Sequence, residues 1–417
     1  MAYCKLLALL ALCSGQTLSP SPMPCAAPPG SFCSGGSALI CPIGAYCAGG
    51  AAPNVSCYPV TACTVAGLSA QPPCYWNYTV LNIGPINPFG IISETPSSLL
   101  VTDWSSHRIR RVNTTTLTQQ VVVGSGASSS TDGVGLAAST FYPTGIVFHS
   151  TLQRYVWSEF SGNKIRTATP SIFSVSTLAG SGAASFSDGS GASASFNAPH
   201  QIAVLSSGDI AVADSLNYRV RRVTPAGFVT TIAGNGVSGS ADGVGALARF
   251  VYPNGLAANS SDFIFVSDWT GCTIRMITPS SVVSTIAGSA TCGYADSAWK
   301  TSLFQPLAYL SLSPFNDIFV ADQNGRRFRW LQFASNTVST VIGNGASASV
   351  SGFFPSSRVV TPVVPYLASD GTLFAASLAQ LGVAKCVPCP ASFFCFSGAP
   401  VLCPAGSSCP LLAPVAP

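Results

Sequence analysis

The sequence has 417 residues, a net charge of +4 and a charged fraction of 8%, whereas about 25% is usual in soluble proteins. The hydrophobic fraction of 47% is enough to form a large buried core. The small net charge provides no long-range attraction to nucleic acid and little repulsion between copies of the chain. A nucleic-acid partner is therefore not expected.

The N-terminal segment has the features of a secretory signal. Lys5 precedes an apolar run from Leu6 to Leu12, which small residues follow, and the run is too short for a membrane-spanning helix. No later stretch is long and apolar enough to cross a bilayer. We expect residues 1–15 to be removed and the mature chain to be secreted to the cell surface or matrix, without a membrane span.

Cysteines cluster at both ends of the chain. Of the 16 cysteines, two leave with the signal, and the remaining 14 suit an oxidising compartment. Seven fall in residues 16–74 and five in the stretch from Cys386 to the C-terminus. Both counts are odd, so at least one disulfide should join the two flanks if all cysteines are paired. We predict small disulfide-rich modules over 16–74 and 387–417.

The middle of the chain repeats a unit of 54 to 56 residues. Each unit begins with a proline, and five of the six units carry an acid about 15 residues later; further short runs such as "RVRRVT" and "FVTTIAG" follow the acid. Turn residues separate four short β-type runs per unit, which indicates an antiparallel meander. The repeat prolines are Pro88, Pro143, Pro199, Pro253, Pro306 and Pro362.

Six four-stranded units at this period predict an all-β fold, a six-bladed β-propeller over residues 75–386. The sixth unit has sequence for three strands, and the missing fourth is found in "YWNYTVLNIG", residues 75–84. The N-terminal strand should therefore complete the last blade and remove an open sheet edge. We predict a Cys74–Cys386 disulfide at this closure and a second disulfide, Cys272–Cys292, between two loops on one face.

The segment "PNGLAANSSDFIFVSDWTGCTIRMI" and its copies resemble the NHL-repeat family, and the resemblance covers about residues 75–386. The flanking stretches "PPGSFCSGG", "CPIGAYCAGG" and "CPASFFCFSG" resemble the short cysteine-rich repeats of ephrin-receptor-like extracellular regions. Together they imply a secreted propeller between two disulfide-rich arms.

An acid and an arginine seven residues later recur in five units, which favours a structural ion pair in each blade over a single catalytic site. These pairs are Asp103 with Arg110, Glu159 with Arg166, Asp214 with Arg221, Asp268 with Arg275, and Asp322 with Arg329. In the sixth unit Ser377 replaces the acid. The aspartates of the loops between units are interpreted as turn residues rather than calcium ligands. They are Asp132, Asp188, Asp242 and Asp296.

Two further patterns concern loop glycines and N-glycosylation sequons. Gly234, Gly236 and Gly239 match a G-x-G-x-x-G spacing by chance, because the equivalent loops break it and no helix follows. Sequons predict N-glycosylation at Asn54, Asn77, Asn113 and Asn259.

The family resemblance also implies an enzymatic alternative, since some secreted NHL propellers resemble lyases with a zinc held by three histidines. This chain has only His107, His149 and His200. We expect His107 and His200 near one face and His149 near the other, so that they do not converge on one ion. No catalytic residue, metal or cofactor is predicted.

The sequence therefore favours a non-enzymatic extracellular structural protein. Its uncharged arms would dock onto other copies or matrix proteins and build a glycosylated assembly such as a filament, flagellar hair or wall layer. An alternative is a glycan- or ligand-binding propeller that uses Trp104 and Trp269, each of which follows a repeat acid.

Overall fold

The computed structural model describes residues 74–388 with four short gaps, and the backbone of short strands in both flanks. The gaps are residues 314–315, 348–350, 354–356 and 369–370. The chain divides into two compact units, residues 1–72 and 73–417. The predicted signal, Asn54 and the flank cysteine side chains, including those of Cys74 and Cys386, lie outside the described residues.

The described strands follow in chain order. The first are β1 (Ser31–Ser34), β2 (Ser37–Ile40), β3 (Ala45–Tyr46), β4 (Val55–Ser56), β5 (Cys74–Leu81), β6 (Pro88–Thr95), β7 (Ser98–Asp103), β8 (Arg108–Asn113), β9 (Thr118–Val123), β10 (Gly133–Val134), β11 (Pro143–His149), β12 (Arg154–Glu159), β13 (Lys164–Ala168), β14 (Ser174–Ala179), β15 (Gly189–Ser190), β16 (Pro199–Val204) and β17 (Ile210–Asp214). The rest are β18 (Arg219–Val223), β19 (Phe228–Ala233), β20 (Gly243–Val244), β21 (Pro253–Ala258), β22 (Ile264–Asp268), β23 (Thr273–Ile277), β24 (Val282–Gly288), β25 (Leu307–Leu312), β26 (Ile318–Asp322), β27 (Arg327–Gln332), β28 (Thr337–Ile342), β29 (Gly352–Phe353), β30 (Pro362–Leu367), β31 (Leu373–Ser377), β32 (Gln380–Pro388), β33 (Phe393–Phe396) and β34 (Ala399–Leu402).

Short 3-10 helices of three residues each occur in the loops at Gly135–Ala137, Gly191–Ser193, Ser215–Asn217 and Gly245–Leu247. In the part of the chain that the structure describes, no helix has the length and hydrophobicity that a membrane span requires.

The strands of residues 74–388 form six antiparallel sheets, the blades of a propeller. From the innermost strand outward, blade 1 is β6 to β9, blade 2 is β11 to β14, blade 3 is β16 to β19, blade 4 is β21 to β24, and blade 5 is β25 to β28. Blade 6 contains β30, β31, β32 and then β5 from the start of the chain. The predicted six-bladed all-β fold is therefore confirmed.

The closure of blade 6 by β5 is also confirmed. β5 pairs with β32 over eight positions, from Leu381 opposite Leu81 to Pro388 opposite Cys74. In this register Cys386 lies opposite Trp76, so Cys74 and Cys386 occupy diagonal positions on neighbouring strands. Their disulfide stays a prediction, whereas the predicted Cys272–Cys292 disulfide is present.

The burial pattern explains why each repeat folds as it does. The second strand of a blade is buried at every position in blades 3, 4 and 5, because it lies in the middle of its sheet and between two neighbouring blades. Such a strand reads as a continuous apolar run. Apolar clusters fill the spaces between consecutive blades, and one of them joins Leu99 and Val101 of blade 1 to Phe374 and Ala376 of blade 6.

Candidate functional site at the central channel

The six innermost strands surround a cavity of about 360 Å³. Apolar side chains from every blade line it, including Ile91, Ile146, Ala203, Ala257, Leu312 and Val364. Tyr366 is the one titratable residue among the described residues that line it. The cavity therefore offers an apolar surface with few polar groups, which is better suited to binding an apolar ligand than to acid–base catalysis.

Gln201 connects three blades inside this channel. Its Nε2 atom donates a hydrogen bond of 2.8 Å to the carbonyl oxygen of Leu310. Its Oε1 atom accepts hydrogen bonds from the backbone N–H groups of Leu256 at 2.8 Å and Leu310 at 3.1 Å. The inner edges of the innermost strands have backbone groups without a strand partner. Gln201 provides hydrogen-bond partners for three of them, as buried backbone groups require.

At the end where the innermost strands begin, five aromatic side chains form a closed cycle of ring contacts. The centroid distances around it are 6.1 Å from Phe89 to Tyr309, 5.8 Å from Tyr309 to His200, 5.0 Å from His200 to Phe160, 6.4 Å from Phe160 to Trp104, and 5.0 Å from Trp104 back to Phe89. We call these five residues the aromatic ring. Its members come from blades 1, 2, 3 and 5, so it spans the channel.

Both tryptophans proposed for ligand binding belong to this end of the channel. Trp104 is a member of the aromatic ring, and Trp269 reaches it through Tyr252, which is 5.2 Å from Trp269 and 5.9 Å from His200 between ring centroids. Both tryptophans are partly exposed. Their indole Nε1 atoms are buried without a hydrogen-bond partner among the described residues.

The sequence analysis did not anticipate that these aromatic residues meet. A signal was present, because an aromatic residue directly follows the repeat acid in three units, at Trp104, Phe160 and Trp269. A second recurs directly before the repeat proline, at Tyr142 and Tyr252. Both positions lie at the same end of the blade, since neighbouring strands are antiparallel.

His200, a member of the aromatic ring, is held between two tyrosine hydroxyls. Its Nδ1 atom lies 2.8 Å from the hydroxyl of Tyr309, and its Nε2 atom lies 3.3 Å from that of Tyr252. Burial lowers the pKa of His200 to about 3, because the imidazolium would lose its hydration without gaining a counter-ion. His200 is therefore neutral at physiological pH.

The other two histidines have separate structural tasks. His149 donates from Nε2 to the carbonyl oxygen of Gly208 at 2.6 Å, and its Nδ1 atom accepts from the N–H of Leu152. His107 accepts the N–H of Tyr142 at Nδ1 and contacts the Ser128 hydroxyl through Nε2. Among the described residues, no group of three or more His, Cys, Asp and Glu side chains is arranged to hold a metal ion.

The predicted ion pairs are present in all five blades, and in four of them the arginine has a second acid. In blade 3, Arg221 donates from Nη1 to Asp214 and from Nη2 to Asp188 of the preceding loop, both at 2.7 Å. The same arrangement joins Arg166 to Glu159 and Asp132, Arg275 to Asp268 and Asp242, and Arg329 to Asp322 and Asp296. In blade 1, Arg110 contacts Asp103 at 2.6 Å and no second acid among the described residues.

The loop aspartates therefore do more than the sequence analysis assigned to them. The sequence pattern predicts turn residues at these positions, but each aspartate also pairs with a buried arginine of the following blade. The signal was their fixed distance of 33 or 34 residues before that arginine. Local sequence does not reveal the link, because the aspartate lies in the loop before the blade and the arginine lies in the blade's third strand.

Burial controls the ionisation of these networks. It raises the pKa values of Glu159, Asp214 and Asp268, against the effect of their arginines, and raises that of Asp322 to about 6. For Asp242, partial burial alone would raise the pKa, but hydrogen bonds from Thr285 and Arg275 lower it overall. These carboxylates are held as structural counter-ions rather than directed into the channel.

The predicted sequons fall in two kinds of position. Asn113 and Asn259 each end a strand or begin a turn, where the Oδ1 atom accepts two backbone N–H groups of the turn. Asn77 lies within β5, opposite Lys385 on one side and Phe353 on the other. A glycan is sterically easier to accommodate at the two turns than inside a paired strand.

No family model matches the chain, and no curated protein matches it. Solved structures are similar at low identity. A protein of unknown function from Bacteroides thetaiotaomicron is 14% identical with a TM-score of 0.58, and the match covers 75% of this chain and 76% of that one. An auxiliary nutrient binding protein from Bacteroides ovatus is 11% identical with a TM-score of 0.55, over 75% and 77% of the two chains.

A gluconolactonase from Xanthomonas campestris is 12% identical with a TM-score of 0.50, over 76% of this chain and 95% of that one. By their names, one of these three proteins is of unknown function, one binds nutrients and one is a gluconolactonase. At these identities the similarity shows the six-bladed propeller fold alone.

Proposed function

We propose that the protein is a non-enzymatic extracellular structural or interaction protein, in which the propeller is a rigid framework between two cysteine-rich arms. The observation that carries this proposal is the repetition of the charged networks. An arginine and its acid occupy the same place in blades 1 to 5, as a framework requires and a single catalytic centre does not.

The proposal includes the finer identity of the parts. The propeller over residues 75–386 is of the NHL-repeat type, and the modules over 16–74 and 387–417 are ephrin-receptor-like cysteine-rich repeats. Secretion is supported by the Cys272–Cys292 disulfide, because disulfides persist in oxidising compartments. Glycans are expected at the turn sequons Asn113 and Asn259.

Self-association through the arms is tested with the secreted full chain and a variant truncated after Pro388, which keeps β32 intact. Sedimentation velocity and negative-stain electron microscopy of the full chain should show assemblies larger than one chain. The truncated variant should sediment as a smaller species, and the Asn259→Gln variant, which keeps both arms, is the matched control. A full chain that stays monomeric at high concentration would contradict the proposal.

A second candidate function, glycan binding, is favoured by the aromatic ring and by Trp269 beside it. Partly exposed aromatic faces give a stacking surface, and the tyrosines and His200 supply polar groups near it. On an array of neutral oligosaccharides, we expect Trp269→Ala to reduce binding at least tenfold. The control is Phe228→Ala, which removes an exposed aromatic side chain elsewhere; equal effects of the two changes would argue against this site.

A further inference from the structure

The outermost strand of most blades is covered by a short additional strand. β10 pairs with β14, β15 with β19, β20 with β24, and β29 with β5. Each covering strand ends with a residue located nine positions before the next repeat proline, as Val134 precedes Pro143. In blade 5 the bridge between Ala298 and Thr337 serves the same purpose.

Blade 1 differs because the chain uses the equivalent residues elsewhere. Nine positions before Pro88 is Thr79, which lies in β5 and closes blade 6. Among the described residues, β9 pairs with β8 alone and no strand covers its outer edge. Within the described residues, the closure of the ring therefore leaves the outer edge of blade 1 open.

In the other blades, hydrogen bonds join the covering segment to the outermost strand. They show which backbone group of blade 1 lacks a partner. The N–H groups of Gly135, Gly191, Gly245 and Trp299 donate to the carbonyl oxygens of Phe173, Gly227, Ser281 and Asn336, at 2.9 to 3.1 Å. The equivalent carbonyl in blade 1 belongs to Leu117, whose side chain is 39% exposed. No donor to this carbonyl is present in the described part of the chain.

The sequence of β9 reflects the same absence. In blades 2 to 5 a threonine of the outermost strand donates its hydroxyl to the loop aspartate; the four residues are Thr177, Thr231, Thr285 and Thr340. In blade 1 the equivalent residue is Val121. In blade 4 the backbone N–H of Thr285 also donates to Asp242, at 3.0 Å, so the equivalent N–H of Val121 faces the open edge.

Arg110 differs from the other repeat arginines in its exposure and in its number of partners. The side chains of Arg166, Arg221, Arg275 and Arg329 are 0% exposed, whereas that of Arg110 is 18% exposed. Its Nε atom donates to Asp103, and its Nη1 and Nη2 atoms have no partner among the described residues. In the other blades an Nη2 atom at this place binds the loop aspartate.

We propose that the open edge of blade 1 is a strand-addition site for an extended segment of a partner protein with the pattern Asp-Gly-apolar-Gly. The segment's backbone would donate to the carbonyl oxygen of Leu117, and its aspartate would accept from Arg110 and from the N–H of Val121. The covering loops of blades 2 and 4, "DGVGLA" and "DGVGAL", show the chemistry that fits.

The charge distribution favours a separate partner over the chain's own flanks. Residues 6–93 and 386–417 contain no acidic residue, so neither flank can supply the carboxylate. The loops that contain Asp-Gly in blades 2 to 4 already bind their own arginines. The site rests on the interaction role proposed above and specifies one partner for it. It does not depend on self-association through the arms.

The test uses a labelled peptide with the sequence of residues 129–137, "SSTDGVGLA", titrated against the full chain by fluorescence anisotropy. We expect saturable binding, and roughly tenfold weaker binding of the peptide in which asparagine replaces the aspartate, because a charge-assisted bond to Arg110 is lost. Val121→Thr should tighten binding roughly threefold, because it restores the hydroxyl donor of the other blades.

Val121→Pro is the complementary variant. Proline is tolerated on an edge strand where the lost N–H faces outward, so the fold should persist while strand addition is blocked. Unchanged thermal unfolding together with loss of peptide binding would support the proposal. No binding at millimolar peptide, or binding that Val121→Pro leaves intact, would overturn it, and neither result would affect the self-association test.

Discussion

Blades 1 and 4 have the same acid and arginine in their second and third strands but surround them differently. In blade 4, Arg275 is fully buried and bonded to Asp242 of the preceding loop. In blade 1, Arg110 is partly exposed and bonded to Asp103 alone. The difference arises outside the blade, because blade 1 has no preceding loop of the repeat type.

Blade 6 supports the same conclusion, because it lacks the whole charged network. Its loop contains no aspartate, Ser377 occupies the place of the acid, and Gly382, which pairs with Ala375, occupies the place of the arginine; both are buried. The arginine and its acids are therefore lost together, as expected when a buried charge without partners is strongly destabilising. The comparison shows that the strand acid, the loop aspartate and the arginine form one structural unit.

The largest effect is expected from removing the arginine of blade 4. Arg275→Ala leaves Asp268 buried without its counter-ion and should reduce the free energy of unfolding by about 3 to 5 kcal/mol. Arg110→Ala in blade 1 also leaves a buried acid, Asp103, but should cost less, because it breaks one ion pair of a partly exposed arginine instead of two pairs of a fully buried one. Denaturant unfolding of the two variants measures both values, and equal costs would remove the distinction between the blades.

A double variant sharpens this result. Asp268→Ser with Arg275→Ala removes the acid and the arginine from blade 4 together, as both are absent from blade 6. It should be more stable than Arg275→Ala alone, by at least about 1 kcal/mol, because the uncompensated buried carboxylate is gone. A double variant less stable than the single one would argue against the coupled loss in blade 6.

The second effect concerns the disulfide that blade 4 has and blade 1 lacks. Cys272 and Cys292 close a loop with a sequence separation of 20, and the chain-entropy model gives about 3 kcal/mol for such a loop. Replacing both by alanine should lower the free energy of unfolding by that amount under oxidising conditions. Under reducing conditions the variant and the wild type should differ much less, which serves as the control.

The last effect, which is the smallest near neutral pH, is a pH dependence from His200. Its pKa is lowered to about 3 in the folded protein, while an unfolded histidine titrates near 6.5. Below about pH 6.5 the unfolded state therefore binds a proton that the folded state refuses, and stability falls as the pH falls. The loss should approach 1.4 kcal/mol per pH unit, and His200→Gln should remove this part of the acid sensitivity between pH 6 and 4.

The repeat made much of the architecture predictable. The recurring prolines and acids located the strands, and the missing fourth strand of the last unit predicted the pairing of β5 with β32. The ion pairs and the Cys272–Cys292 disulfide followed because they recur in register or lie in adjacent loops.

The remaining features depend on contacts between distant segments. The aromatic ring combines residues from four blades, such as Phe89 and Tyr309, whose distance is set by the blade arrangement rather than by local sequence. The covering strands are two residues long, too short for a periodic signal, and their role is visible only from the bonds that they make. The open edge of blade 1 follows from this global arrangement.

Hydrogen–deuterium exchange of backbone amides tests the central claim most directly. The N–H of Thr285 in blade 4 is bonded to Asp242, and the N–H of Val121 at the equivalent place in blade 1 faces an uncovered edge. We predict slow exchange at Thr285 and exchange at Val121 that is faster by two orders of magnitude or more. Equal protection at the two positions would contradict the account, because it would show that the edge of blade 1 is covered like the others.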